Sequence, residues 1–337
     1  MPTNVTLDNV AHAAGVSKAT ASRALNDKDG VSPEVRERVR SVADELGYRP
    51  NRAARNLAGG KASVLGLLLG VGYLRPNLWG SATLESFVYQ ADDLDEGLMV
   101  IGDARAPNVT VRNLIRDGLL DGIIISTVAL RLGWIEELLD AQLPIVLLGV
   151  HPRRIDVHVV EVENRQSSRT MVEHMLDAGC ERVAIVVGKM DRADANARFE
   201  GWCEAHTARG LSIDPSLIFT GDFSYESGYG CTEAILKSRP DGVFCSNDLM
   251  GLGLGKGLIE AGVSIPDDIS LAGFDGLAHR YGYELDGKSL TSVEQPFDLL
   301  ARQAIRAARE LAEGGQPELE LFIAPELHWG RTTRPRS

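Results

Sequence analysis

The chain has 337 residues, 44% hydrophobic and 24% charged, and a formal net charge of −12. That length predicts two or three folded units, and the acidic balance excludes a body built to coat polyanions non-specifically. No run of about eighteen apolar residues predicts a membrane span, and the opening MPTNVTLDNV lacks the basic-then-apolar order of a signal peptide. The four scattered cysteines, Cys180, Cys203, Cys231 and Cys245, form no CxxC pair. The chain is therefore expected in the cytoplasm, with reduced, mostly buried thiols, no metal site and no cofactor.

Charge is uneven along the chain. Residues 1–60 carry nine Lys and Arg against seven Asp and Glu, a net of +2, while the remainder carries −14. This first piece is also where helix signals crowd together. Thr6 precedes LDNVAHAAG, with Leu7, Val10 and Ala14 on one face and Gly15 as a stop. Ser17 caps a second helix, KATASRALN, ending near Asn26, and only GVS separates the two. A helix, a short turn with Gly and another helix is the helix-turn-helix arrangement. A third helix starts at Ser32 with Pro33 in its first position, carries the stripe Val35, Val39, Val42 and Leu46, and closes at Gly47. The second helix is slim, with Lys18, Ala19 and Arg23 facing outward and Ala21, Ala24 and Leu25 inward, as entry into a DNA major groove requires. A plain three-helix bundle with solvated Lys and Arg is the alternative. YRPNRAARNLAGGKAS follows, about two helical turns between Pro50 and Gly59, too short to stand alone. It is either a linker or a helix that orders on DNA, with Leu57 as an apolar wedge in the minor groove.

VTLDNVAHAAGVSKATASRALN and VSPEVRERVRSVADELGYRPNRAARNLAGGKAS resemble the DNA-binding headpiece and hinge of the lactose/galactose repressor (LacI/GalR) family through about the first 65 residues. The resemblance implies that Lys18, Ala19 and Arg23 read the operator and that Leu57 is the hinge wedge. The full candidate DNA-contacting set is Thr6, Ser17, Lys18, Ala19, Thr20, Ser22, Arg23 and Asn26, with Asn51, Arg52, Arg55 and Leu57 from the hinge. Asn9 stands where the family usually has Asp, and Asn makes similar local hydrogen bonds.

Beyond Ser63 the pattern changes to short apolar runs separated by amphipathic stretches. Strands are expected at 63–70, 98–103, 122–126, 144–150, 157–162, 182–188, 217–222, 242–248 and 269–275. Near-continuous Val, Ile and Leu suit parallel strands buried on both faces, and the helices between them predict two doubly wound α/β subdomains. Ligands of such sheets bind past the C-terminal strand ends, where Arg192, Arg198, Asp222, Phe223, Asn247, Asp248 and Asp275 fall. GLGLGKG (251–257) is not a phosphate loop, because Met250 stands where its first Gly belongs; close helix packing explains its glycines better.

ARFEGW, GDFSYESGY, CSNDLMGLG, DISLAGFD and SLTSVEQP are similar, in order, to landmarks of the family's effector domain, of periplasmic-binding-protein-like fold. The resemblance implies that Arg198, Asn247 and Asp275 hydrogen-bond an effector and that Phe223 stacks on it. Arg192 sits where purine-responsive members place a contact. GVGYLRPNLWGSATLES departs from the family's usual loop; Tyr73 and Trp79 are its candidate contacts, Trp79 on a sugar face or in the core.

The expected organisation is a headpiece at 1–48, a hinge at 49–62 and an effector and dimerisation domain at 63–337. Within the latter, the N-subdomain covers about 63–163 and 293–325 and the C-subdomain about 164–292 and 326–337. The expected function is a non-enzymatic, sequence-specific DNA-binding regulator, a repressor, acting as a homodimer on palindromic operator DNA under a sugar-type effector, with no membrane partner. A purine-like corepressor is the alternative ligand. An α/β enzyme acting on a sugar or nucleoside is the rival of another class, although no GxSxG, HExxH or kinase set is present.

Overall fold

Capping chemistry delimits the first helices. A computed structural model describes residues 5–25, 29–48, 64–70, 78–103, 107–126, 138–139, 143–149 and 157–335. The chain divides into two units, Met1–Ala62 and Ser63–Ser337. In the first, α1 (Leu7–Ala13) begins with a capping box: Asn9 N–H donates to Thr6 Oγ1, and Thr6 N–H donates to Asn9 Oδ1 at 2.9 Å. The departure at Asn9 is thus accommodated by a side-chain carbonyl. Gly15 turns the chain at φ +65°. Helix α2 (Lys18–Leu25) starts where Ser17 Oγ accepts from Thr20 N–H at 3.0 Å. Helix α3 (Pro33–Glu45) has Ser32 as its cap and Pro33 in its first turn.

Val10, Ala11, Ala14, Ala21, Ala24, Val39 and Ala43 form the core of this unit. Small side chains let the three short helices cross closely. The expected apolar stripe of α3 holds at Val35, Val39 and Val42 but not at Leu46, which is 39% exposed. Leu46 caps α3 at its C-terminus and lies outside that core, which Tyr48 joins instead.

The second unit is built on two sheets. The first contains β1 (Val64–Gly70), β2 (Gly97–Asp103), β3 (Gly122–Ser126), β4 (Ile145–Leu148), β5 (His158–Val162) and β13 (Glu320–Ile323), in the order β13-β5-β4-β3-β1-β2 and parallel throughout. The second contains β6 (Val183–Val187), β7 (Ile218–Thr220), β8 (Gly242–Cys245), β9 (Ser270–Asp275), β12 (Thr291–Glu294) and β14 (Glu326–His328), in the order β14-β12-β9-β8-β6-β7. Only β14 runs antiparallel there, against β12. A small hairpin pairs β10 (Glu284–Leu285) with β11 (Lys288–Ser289).

Period-two alternation assigns successive residues of the first sheet to opposite layers. Leu67, Ile124 and Val146 join one core, and Leu68, Ile123, Ile125 and Leu147 the other. Helices α4 (Leu78–Asp93) and α5 (Pro107–Arg116) connect its strands. The second sheet is connected by α6 (Asn164–Asp177), α7 (Ala193–Thr207), α8 (Tyr225–Gly230), α9 (Thr232–Ser238), α10 (Asp248–Glu260) and α11 (Leu277–Arg280). Helix α12 (Phe297–Ala312) lays Leu300, Ala301, Ala304, Ile305 and Ala308 on the first sheet.

The chain crosses between sheets three times: after β5, after β12 and between β13 and β14. Pairing of β12 continues through Glu294, just past the boundary expected at 293, because Val293 opposes Phe274 and Glu294 opposes Asp275. The glycines of GLGLGKG lie in α10 against neighbouring backbone: a Cβ on Gly253 would fall 2.0 Å from the Tyr225 carbonyl oxygen. No helix among the described residues is long and apolar enough to cross a membrane.

Candidate functional site

Two surfaces hold the predicted site residues. On the first unit, Lys18, Ala19 and Arg23 form an exposed row along α2, flanked by exposed Ser17 and half-buried Thr20 and Ser22. Ala21 and Ala24, fully buried, lock the opposite face. Lys18 Nζ meets Asp8 Oδ2 at 2.8 Å, with both side chains 63% exposed. Such a pair contributes about 0–1 kcal/mol, so Lys18 exchanges it readily for another anion. Thr6 lies outside this row and acts as the cap of α1. The sequence did not single out Arg36, whose Nη1 donates to the Ala24 carbonyl at 3.3 Å and satisfies the end of α2. Asn26, Asn51, Arg52, Arg55 and Leu57 lie outside the described residues.

The second surface is a cleft lined by residues from the subdomains of both sheets. The first-sheet side supplies Trp79, Thr83 and Phe87 from α4, Leu148 and Gly149 at the end of β4, and Phe297 and Leu300 from α12. The other side supplies Asn164, Asp194, Arg198 and Gln295. One wall is thus aromatic and aliphatic, and the other is polar and charged. Trp79 stands edge-on to Phe297 at 6.2 Å between ring centroids. Thr83 is 2% exposed, and its hydroxyl has no hydrogen-bond partner among the described residues.

Arg198 organises the polar wall. Its Nε donates to Asn164 Oδ1 at 2.8 Å, its Nη1 donates to the Ser246 carbonyl and to Asp275 Oδ1 at 3.2 Å, and its guanidinium lies 3.7 Å over the Phe274 ring. Gln295 Nε2 donates to the same Asp275 oxygen at 2.7 Å. Burial pushes the Asp275 carboxyl up to about 6, against the opposing pull of Arg198 and Gln295. Asp194 is gripped by both Arg192 nitrogens, Nε at 2.9 Å and Nη2 at 2.6 Å. Burial raises the Asp194 carboxyl, but Arg192, Arg198 and the Ala195 N–H outweigh it and hold the group below its ordinary value.

Of the predicted effector residues, Trp79 and Arg198 line the cleft. Asp275 lies directly behind Arg198. Arg192, Phe223 and Asn247 are not among the residues lining this cleft. Phe223, at φ +72°, lies on Gly188, where a Cβ would come within 2.0 Å of its ring, and the Arg192 guanidinium sits 4.7 Å above that ring. Asn247 caps α10 through Met250 N–H and donates to the Phe223 carbonyl at 3.0 Å. Asp248 turns into the core, accepting from Ser292 Oγ at 2.6 Å and Ala278 N–H at 2.9 Å. Burial, with the Asp275 charge nearby, pushes its carboxyl up to about 8. Tyr73 lies outside the described residues.

Among the cleft residues not singled out as contacts are Asn164, Asp194, Gln295, Thr83 and Phe297. Asn164 follows the C-terminal end of β5, so the strand-end rule applied there would have found it.

Comparison with known proteins agrees with both halves. The model of the bacterial regulatory proteins of the lacI family matches residues 6–51, and a periplasmic-binding-protein-like domain matches 172–333. HTH-type transcriptional regulator CelR of Thermobifida fusca is 30% identical over 312 residues, covering 89% of this chain and 90% of that protein. The solved complex of transcriptional regulator CelR with cellobiose is 25% identical, with a TM-score of 0.72, over 97% of this chain and 99% of that one. The lac repressor dimer bound to operator and the anti-inducer ONPF is 27% identical, with a TM-score of 0.82, over 98% and 99%. With a relative of that identity matched along nearly its whole length, the chain belongs to the lacI family of bacterial regulatory proteins and is a DNA-binding transcriptional regulator.

Proposed function

We propose that this regulator is a dimeric repressor that reads a palindromic operator with α2 of each headpiece, and that a sugar held in the cleft sets its affinity for that operator. The carrying observation is the two-sided cleft: Trp79 and Phe297 on one wall, with a Thr83 hydroxyl that has no partner among the described residues, and Arg198, Asp194, Asn164 and Gln295 on the other. A sugar presents that pair of surfaces, an apolar C–H face and a rim of hydroxyls. The cellobiose complex of the CelR relative points to the same ligand class.

On the DNA side, Arg23 grips a guanine edge or a phosphate, Ala19 leaves room for the helix to enter the groove, and Lys18 trades Asp8 for a phosphate. Ser17, Thr20, Ser22 and Asn26 border the same groove, and Asn51, Arg52, Arg55 and Leu57 act at the operator centre. One headpiece is too small for tight specific binding, so two act on symmetric half-sites. Effector and operator affinities change each other by the same factor.

A thermal-shift screen of sugars, polyols, nucleosides and purines, followed by operator titrations with each hit, tests this reading. A sugar that raises Tm and shifts operator Kd is the expected result. A purine hit replaces the ligand, chemical conversion of the hit marks an enzyme, and loss of any salt-sensitive preference for inverted-repeat duplexes overturns the regulator mechanism.

A further inference from the structure

We propose that His279, Glu294 and His328 form a binding site for one divalent transition-metal ion, with Zn²⁺ the best match, at the β12–β14 edge of the second sheet. One ligand atom from each of the three residues lies within 4.8 Å of the other two. The donors come from three elements, α11, the end of β12 and the end of β14. In the antiparallel pairing Ser292 opposes His328 and Glu294 opposes Glu326, so Glu294 and His328 share one face of the sheet as diagonal neighbours.

Two local features hold the donors. A Cβ on Gly276 would fall 2.6 Å from Glu294 Cγ, so only glycine lets α11 start against that side chain and bring His279 over it. Ser289 Oγ lies 2.9 Å from His328 Nε2, a hydrogen bond that orients the ring and leaves its second nitrogen for an ion. The His279 and His328 rings stack with centroids 3.8 Å apart.

Two imidazoles and one carboxylate suit Zn²⁺ with a fourth position open, whereas Mg²⁺ and Ca²⁺ call for oxygen donors. Bonds of about 2.1 Å place tetrahedral donors about 3.4 Å apart, so the exposed His279 ring has to leave the stack for its lone pair to converge with those of His328 and Glu294. An ion there joins the end of β12, where the chain leaves the second sheet, to β14 and α11, next to Gln295 of the cleft wall.

The test uses the full-length protein stripped with chelator, Zn²⁺ in equilibrium dialysis with metal analysis, and Co²⁺ spectroscopy. The expected result is about one Zn²⁺ per chain, not displaced by Mg²⁺, and a Co²⁺ spectrum without thiolate charge-transfer bands. His279→Ala and Glu294→Gln abolish tight binding, and Ser289→Ala weakens it roughly 10–100-fold. His279 is exposed, so His279→Ala keeps the test decisive where a His328 variant fails to fold. Absence of Zn²⁺ binding, undiminished binding by His279→Ala, or thiolate bands that trace the ion to cysteine overturns the proposal.

Discussion

Gln295 Nε2 donates to Asp275 Oδ1 at 2.7 Å, on the oxygen that also accepts from Arg198 at 3.2 Å. Gln295 follows the last residue of β12, where the chain leaves the second sheet, and Asp275 ends β9. A residue of the crossing segment and the charged wall of the cleft therefore share one buried acceptor.

Arg198→Ala removes the cation from a buried cluster and leaves Asp275 and Asn164 short of a donor. Loss of one partner of a buried pair costs about 3–5 kcal/mol. Urea unfolding of the full chain should show that loss, together with loss of the ligand-induced Tm shift.

Thr83→Val deletes a buried hydroxyl with no partner among the described residues while keeping the shape of the side chain. Stability of the ligand-free protein should hold or rise slightly. Sugar affinity should fall by about 1 kcal/mol, roughly five-fold, as one hydrogen bond is lost. Calorimetry showing unchanged affinity would move the sugar away from α4.

Asp248 gives the stability a pH dependence of defined sign. Its carboxyl is raised from 3.8 to about 8, so the folded chain holds this proton more tightly than the unfolded chain. The stabilisation is fully present below the lower value and is lost as pH rises through the upper one, at about 1.4 kcal/mol per pH unit between them. Asp275, raised to about 6, adds to the lower part of that window. The stability difference between wild type and Asp248→Asn, measured by urea unfolding at several pH values, should decline as pH rises. A flat difference would mean that Asp248 titrates alike in both states.

Gly253→Ala places a methyl group 2.0 Å from the Tyr225 carbonyl oxygen, which is backbone and cannot rotate away. Helices α8 and α10 must separate, at a cost of about 1–3 kcal/mol. A lowered Tm with an unchanged Kd for ligand is the expected pair of results.

Arg23→Ala should cost roughly 1–3 kcal/mol at one base pair per half-site and relax specificity there, while Lys18→Ala should weaken binding across sequences and reduce the salt slope by about one. Operator titrations at several salt concentrations separate the two. A uniform loss for Arg23→Ala would assign it to phosphate.

Local chemistry was the most legible part of the sequence. Thr6, Ser17 and Ser32 as caps, Gly15 as a turn and the apolar runs of β1 to β9 are each set within a few residues, by hydrogen bonds to neighbouring backbone or by side-chain alternation. The two-to-four-residue strands β10 to β14 were not anticipated, because so short a run carries no periodicity. Leu46 shows the same limit: helical spacing assigned it to the core, but it lies at the helix end, outside that core.

Strand-end polarity pointed to both Arg192 and Arg198. Only the packed chain separated them, turning Arg198 into the cleft and Arg192 onto Phe223 and Asp194. Asn164, Arg198 and Gln295 are far apart in sequence and meet because α6, α7 and the end of β12 converge around Asp275 in the packed second-sheet subdomain, a contact that no local pattern encodes. Caps, strands and the slender second helix follow from the order of residues, since their energies are short-range. Which polar groups line the cleft was decided by tertiary packing, because burial and partner geometry are properties of segments brought together in space.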